Sequence, residues 1–345
     1  IAFLPFYPEA SALFWGIGGN GVDWLLWFLG TLASRSEGLA SLAQVSLFHQ
    51  VLAFCGAMML FLPRLLRWKW LGIFLVLPLL LPAGEKPVSG SAVIEVLDAG
   101  QGTAVTVSTP GHLLLYDTGP GDGGEINLVD SAIIPAIRRS GHAGPDLVVV
   151  SHGDLDHAGG LQELRRRFPH SDLRVNAPDD PAYPCIFGWD WRWDDFHFRA
   201  LHPSPGLPYM KNDSSCVLGV RGAGGSVLLT GDISSQIESR LVAESDIQHD
   251  VLLVPHHGSK SSSATAFIEN VQPELAIATA SLGNRFGFPR EEVRQRYRQA
   301  GVPLLSTGEC GAIRVLLKDG KIQSVISARR ERKHIWRWPA EQNCP

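Results

Sequence analysis

The sequence predicts an α/β (α+β) fold: an αββα sandwich preceded by transmembrane helices. Three observations predict it. The first 84 residues are rich in Leu, Phe and Trp and nearly free of acidic residues, whereas the rest is an ordinary mixture with enough length for one large core. Beyond that point short strands pair first as meanders and then alternate with helices, twice over, as two packed sheets with helices outside would require. Finally, one apolar strand after another ends in a ligand-type side chain.

The apolar region comes first. The chain begins at Ile1 without Met and is read as a cut through a longer membrane protein. Val22–Leu32 carries Trp24, Leu25, Trp27, Phe28 and Leu29 and is a helix lying in the interface, the end of another span or a packed helix of a bundle. Val45–Leu62, extended back to Leu39, has the length of a bilayer span. Trp70–Leu81 is a second apolar run, extended through Leu65 if Arg67 and Lys69 snorkel. The loop between them holds Arg64, Arg67 and Lys69 and no acid. That charge bias places the loop in the cytoplasm and everything after Glu85 on the other side. Pro82–Pro87 reads as a linker. The expected organisation is therefore 1–84 as the end of a transmembrane domain, 85–327 as a separate α/β domain and 328–345 as a basic tail.

In the second region, Val93–Leu97, Ala104–Ser108 and His112–Tyr116 are β-rich runs, the last two joined by a Pro-Gly turn. Leu128–Ser140 has helical period, Leu147–Val150 reads as a buried strand and Gly160–Phe168 as a basic helix. Cys216–Val220 and Ser226–Thr230 form a hairpin pattern. Helices are expected at Ser235–Glu244, Ala264–Val271 and Arg290–Ala300, with strands Val251–Val254 and Leu275–Ala278 between them. Ile313–Leu317 and Ile322–Ile326 close the domain as a hairpin over Asp319 and Gly320.

The net charge of −4 gives no overall basic footprint for nucleic acid. The five cysteines are Cys55, Cys185, Cys216, Cys310 and Cys344. None forms a C-x-x-C pair, which argues against a structural zinc knuckle. Cys55 sits in an apolar run; the other four can pair if the domain is exported, in an order the sequence leaves open.

The chemistry concentrates after the run Val148–Val150, where His152, Asp154, Asp156 and His157 follow within six residues and glycines open a helix. Strand ends are where α/β sheets place their sites. His152 and Asp154 alternate and can reach one ion, while Asp156 and His157 can turn to a second. Nitrogen and carboxylate donors at this density suit Mn²⁺, Zn²⁺ or iron. Three further strand ends repeat the pattern: Asp117 before Gly119, Asp232 after Gly231, and His256–His257 before Gly258. A lone Asp-Gly is more often a turn; the four together are specific.

The order DTG, SHGDLDH, TGD, PHHGS is similar to the metallo-β-lactamase superfamily pattern. That resemblance implies a pair of divalent metal ions, Mn or Zn, bridged by Asp232, with a water between them as nucleophile. More closely, the chain resembles the C-terminal part of ComEC-type DNA-internalisation proteins of competence. The likeness rests on Leu97–Gly102, which includes Asp98, on D-x-D-H in place of H-x-D-H, and on Val254–Ser259 with serines following. The family implies a nuclease that degrades the strand that does not enter during DNA uptake. Carried over by motif, His152, Asp154 and Asp232 hold the first metal. Asp156, His157, Asp232 and His257 hold the second. His256 contacts the phosphate or leaving group, and Asp117 orients the cluster. The implied partners are single- or double-stranded DNA, the membrane and other DNA-uptake proteins. The implied location is the inner membrane, multi-pass, with the hydrolase domain on the periplasmic or extracellular side.

The sequence departs from the superfamily in two places. Asp154 replaces a histidine, which favours harder ions such as Mn²⁺. The third-motif histidine has no counterpart; Asn212 or Asp213 is either an oxygen ligand or part of an Asx turn. Ser259 and Lys260 bind phosphate or merely start a helix. Arg165–Arg167 reads as a solvated helix face before a nucleic-acid track. Trp189, Trp191 and Trp193 read as one face of a strand before a base-stacking ladder. The tail from Arg329 to Lys333, with Trp336 and Trp338, touches phosphate or headgroups, or nothing. Competing readings are another ester hydrolase of the same metal chemistry, such as a phosphorylcholine esterase, a lactonase or an RNA-processing nuclease, or a non-catalytic module that gates a channel or guides DNA.

Overall fold

The computed structural model describes residues 18–28, 31, 47–61, 69–77, 84–121, 127–178, 180–331, 344 and 345. The chain divides into two compact units, Ile1–Ala83 and Gly84–Pro345.

In the first unit, residues 18–28 are helical (α1), followed by α2 (Leu47–Leu60) and α3 (Leu71–Val76). α2 and α3 touch where Gly56 meets Gly72. A Cβ on Gly56 would lie 2.6 Å from the Gly72 carbonyl oxygen, so the two backbones approach only because both positions lack side chains. The expected spans at Val45–Leu62 and Trp70–Leu81 differ from what is seen. Among the described residues no helix is long and apolar enough to cross a membrane. α2 has 14 residues, a rise of about 21 Å, against the ~30 Å of a bilayer core. α3 has six. Length is the physical reason: an apolar run crosses a bilayer only as one continuous helix of about 20 residues.

The second unit contains two seven-stranded sheets. The first is built from β1 (Ser91–Val96), β2 (Val105–Ser108), β3 (Leu113–Tyr116), β4 (Leu147–Val150) and β5 (Asp172–Val175). β1 to β3 pair antiparallel, whereas β3, β4 and β5 run parallel. The parallel crossovers are made by α4 (Ile134–Arg139), entered through a π turn at Val129–Ile133, and by α5 (Leu155–Ala158) with α6 (Leu161–Arg167). The second sheet repeats the plan. β6 (Asp190–Trp193), β7 (Phe196–His202), β8 (Val217–Gly222) and β9 (Gly225–Leu229) pair antiparallel. Then β10 (Val251–Leu253), β11 (Leu275–Ala278) and β12 (Leu304–Ser306) follow in parallel, with α7 (Ser235–Glu244), α8 (Thr265–Val271) and α9 (Glu291–Gln299) between them. After α10 (Thr307–Cys310), the hairpin β13 (Ile313–Lys318) and β14 (Lys321–Ser327) returns to the first sheet beside β1, before α11 (Ala328–Glu331).

Three apolar cores define four layers. One lies between the sheets, with Ile94, Val107, Tyr116, Phe196, Phe198 and Ile277. A second packs α4 and α6 on the first sheet, and a third packs α7, α8 and α9 on the other. A buried residue such as Leu114 is worth about 2–5 kcal/mol against alanine in such a core. The αββα layering expected from the sequence is thus the observed one. β5, β7 and β12 were not among the expected elements. Trp191 and Trp193 on the edge strand β6, with Trp189 just before it, pack against the inter-sheet core, in line with the strand reading.

Two disulfides resolve the open pairing. Cys185–Cys216 ties the segment before β6 to the start of β8, and Cys310–Cys344 ties α10 to the C-terminus. Cys55 is free. Most of the tail, 332–343 with Trp336 and Trp338, lies outside the described residues.

Candidate metal centre

The parallel strands of both sheets deliver their C-terminal ends to one edge, and the candidate histidines and the acids beside them follow such ends. Asp117 follows β3, His152 to His157 follow β4, Asp232 follows β9, and His256 and His257 follow β10. Close backbone approach sets the loops. Gly231 has φ +56, and a Cβ there would meet the Ser215 side chain at 2.7 Å.

Asp156, His157, Asp232 and His257 converge, with one ligand atom from each lying within 4.8 Å of the others. His157 Nε2 is 3.1 Å from Asp232 Oδ1 and 3.3 Å from His257 Nε2. His257 Nε2 is 3.4 Å from both Asp156 Oδ2 and Asp232 Oδ2. Two imidazole nitrogens facing each other between carboxylates form a donor set that a divalent cation fits. His152 and Asp154 lie outside this group. His152 Nε2 is buried and has no hydrogen-bond partner; the Asp154 carboxylate stands 3.7 Å from it, with its side chain half exposed. Buried polar atoms are ordinarily paired, so an orphan nitrogen beside the cluster fits a further ligand position.

Behind the ligands stands a hydrogen-bonded shell. Asp117, fully buried, accepts from Ser151 N–H at 2.6 Å and from Ser151 Oγ–H at 2.9 Å, and its Oδ2 lies 2.7 Å from His157 Nδ1. That carboxylate fixes the His157 ring as expected of an orienting group. Thr279 Oγ1, at the end of β11, orients the other ring in the same way: it lies 2.9 Å from His257 Nδ1, and Thr103 Oγ1 backs it at 2.9 Å. Ser215 Oγ lies 3.3 Å from His152 Nδ1 and accepts the Asp232 N–H at 3.0 Å. Tyr209 Oη accepts the Gly153 N–H at 3.0 Å. None of Ser151, Thr103, Thr279, Ser215 and Tyr209 was singled out from the sequence. The only signal for Thr279 is its position directly after an apolar strand, which Ser and Thr share with ordinary turns.

Electrostatics follow from the same geometry. Burial raises Asp232, but the His157 and His257 rings outweigh it and hold the carboxyl well below its usual range. Burial opposes a charge on His257, yet Asp232 and Asp156 lift it to about 9. His152, buried and beside His157, is pushed down to about 4. The cluster is thus an acid–imidazole network whose positive charge a metal ion would replace.

The remaining candidates separate. His256 is a quarter exposed, 3.8 Å from Asp232 Oδ2 and 3.3 Å from Asn212 Nδ2. Asp213 is taken up by Ser234, accepting its N–H at 2.8 Å and its Oγ–H at 3.0 Å, within the turn Lys211–Ser214. That contact reaches 21 residues along the chain, to the residue that opens α7, and is not an Asx turn. Asp98 faces Arg329 at 3.1 Å and not the cluster; its carboxylate is neutralised there. Ser259 bonds Ser261, and Lys260 is exposed. In the basic helix, Arg165, Arg166 and Arg167 pair with Asp180, Glu163 and Asp130.

Residues 97–279, more than half of the chain, match the family model of the metallo-β-lactamase superfamily. Competence protein ComA of Neisseria gonorrhoeae is 33% identical over 97% of this chain and 47% of its own length. The protein YcaI of Escherichia coli is 33% identical over 83% and 39%. Recombination protein 2 of Haemophilus influenzae is 34% identical over 64% and 28%. The chain thus spans less than half the length of these curated relatives. It belongs to the metallo-β-lactamase superfamily, and its relatives bear out the resemblance to ComEC-type competence proteins.

Proposed function

We propose that the chain carries a metal-dependent phosphodiester hydrolase, a deoxyribonuclease, of an inner-membrane DNA-uptake protein, acting on the strand that is not transported. The observation that carries this reading is the four-ligand cluster with the orphan His152 nitrogen beside it. Asp156, His157, Asp232 and His257 would hold one divalent ion, and His152, Asp154 and Asp232 a second, Mn or Zn. Such a pair supplies a nucleophilic water at neutral pH and neutralises the charge that develops on a phosphoryl group. The chain's own residues do the rest. Asp117, Ser151 and Thr279 hold the imidazoles in one orientation. His256, which burial keeps below its usual pKa and which Asn212 steadies, presents a neutral ring to the phosphate or leaving group.

The membrane and channel aspects of the reading rest on the first unit. Phe48, Val51, Phe54 and Met58 recur along one exposed side of α2, and Trp24, Leu26 and Trp27 are exposed on α1. Apolar side chains in that number seek lipid or apolar protein. The alignment with a competence protein also covers nearly the whole chain, this unit included. The two disulfides support an oxidising location for the hydrolase domain, on the periplasmic or extracellular face. On this reading 1–84 is the end of a channel domain, 85–327 the hydrolase and 328–345 a basic tail, with DNA, the membrane and other uptake proteins as partners.

The test is degradation of single-stranded DNA by the full chain with Mn²⁺, Zn²⁺ or EDTA, beside an Asp156→Ala/His157→Ala double variant. Metal-dependent degradation that the variant lacks is expected. Equal degradation by both, or none with any metal, would move the function to another ester substrate or to a module that guides DNA without cutting it.

A further inference from the structure

The loop between β11 and α9 stands beside the histidine pair, and beyond Thr279 it is used by nothing described so far. It carries Phe286 and Phe288, whose rings stack at 5.3 Å with 19° between planes. The Phe288 ring lies 6.0 Å from His256 and 6.4 Å from His257. Phe286 continues the stack outward and is 37% exposed, so a line of aromatic rings leads from the metal cluster to the surface. Arg285 lies over the Phe286 ring at 4.7 Å and Arg290 over Phe288 at 5.9 Å. Both arginines are exposed and, unlike those of α6, face no acid among the described residues.

The loop is held in place before any ligand arrives. Asn284 accepts the Phe288 N–H at 2.9 Å and donates to the carbonyls of Ser281 at 2.9 Å and Phe288 at 2.6 Å. The Arg290 N–H donates to Gly258 O at 2.9 Å, which ties the loop to the turn carrying both histidines. A fixed surface of this kind binds without the cost of ordering itself.

We propose that Phe286, Phe288, Arg285 and Arg290 form the platform that seats the nucleotide next to the scissile phosphodiester of a single strand. This deepens, and rests on, the nuclease reading of the same centre. Unpaired bases stack on aromatic rings and on guanidinium planes, while arginine N–H groups take the adjoining phosphate. The other phosphodiester class, a choline headgroup, is disfavoured here: Arg285 over the Phe286 ring carries a like charge, which repels a quaternary ammonium, whereas a base stacks on that guanidinium plane. The tryptophan ladder is no rival platform. Trp189, Trp191 and Trp193 pack on the core, and Arg174 and His112 lie against Trp189 and Trp193.

The test measures binding of a short fluorescein-labelled oligothymidylate to the full chain by anisotropy, with EDTA present to prevent hydrolysis. The comparison ligand is the same backbone with abasic nucleotides. The wild type is expected to prefer the base-bearing strand. Phe286→Ala should erase that preference, with about a five- to hundredfold loss in affinity for the oligothymidylate, and Phe286→Trp should retain it. Arg285→Ala should lower the slope of log affinity against log salt by roughly 0.7. Absent binding, equal binding of both ligands by the wild type, or an unchanged preference in Phe286→Ala would overturn the platform. Cleavage of the same oligonucleotide with Mn²⁺ is read in parallel. Base preference without cleavage would leave the platform and sink the nuclease; cleavage without base preference would do the reverse.

Discussion

The two groups of ligands after β4 differ in kind. Asp156 and His157 meet Asp232 and His257 from the other sheet, with three of the four buried and contacts of 3.1 to 3.4 Å. His152 and Asp154 meet no acid or imidazole from across the gap at comparable range: His152 reaches only the Ser215 hydroxyl, through Nδ1 at 3.3 Å, while its Nε2 is orphaned and the Asp154 carboxylate is half in water. The first group is already assembled by the packing of two sheets, so an ion entering it reorganises little. On the two-ion reading, the second would be completed only if an ion drew Asp154 toward His152. The centre would then combine a tight position and a loose one, and the two should load in that order.

The largest way to break the comparison is Asp232→Ala, since on the proposed reading Asp232 would serve both positions. Hydrolysis should fall at least about a thousandfold, because several kcal/mol of charge stabilisation go with the metals. Elemental analysis should find less than one ion per chain; full occupancy would refute the shared role. Asp117→Ala should weaken the tight position by about ten- to a hundredfold, the usual effect of removing an orienting carboxylate. Isothermal titration with Mn²⁺ reads this, and an unchanged affinity would mean that Ser151 alone holds the His157 ring. Asp154→Ala should act on the loose position alone: the titration should keep the first ion within about threefold and lose the second. Loss of both would show the two positions to be one.

The smallest effect on the centre itself is expected at Glu238. This carboxyl on α7 is fully buried and accepts the N–H groups of Ser263 at 2.5 Å and Ala264 at 2.8 Å, at the end of the loop that follows the histidine pair. Burial, opposed by those two N–H groups, raises it to about 7. The folded state therefore keeps a proton that the unfolded chain releases near its ordinary value. Stability from this group is full below about pH 4.5 and declines as pH rises to 7, by up to about 3 kcal/mol. In denaturant melts the wild type should lose stability relative to Glu238→Gln as pH rises through that range; parallel curves would remove Glu238 from the account.

What the sequence made legible follows from how strongly each residue type is constrained. Histidines and aspartates after buried strands have few reasons to be there, so Asp117, His152, Asp156, His157, Asp232 and His257 could be named, and four of them converge. Thr279, Thr103, Ser151 and Ser215 act through one hydroxyl each, and a hydroxyl at a strand end looks the same whether it orients an imidazole or closes a turn. The antiparallel strands β1 to β3 read clearly because their apolar runs are bounded by turns. β5 did not, because Asp172 and Arg174 interrupt it at the edge of its sheet. Disulfide pairing depends on sheets that bring distant residues together, which no local pattern records. The apolar runs of the first unit gave hydrophobicity correctly, but hydrophobicity alone does not set how long a helix runs.

The turn Pro255–Gly258 has a further consequence for how the centre can be dissected. His256 and His257 have φ of +50° and +55°, and Gly258 follows at +85°. Side-chain-bearing residues in this region cost about 1–3 kcal/mol each, and asparagine and glycine tolerate it best. An alanine at either histidine therefore changes two things together, the donor and the local backbone preference, and an alanine scan would overstate the ligand's share. Asparagine at 257 keeps the turn while withdrawing the imidazole. The gap between His257→Asn and His257→Ala is then a direct reading of the conformational contribution.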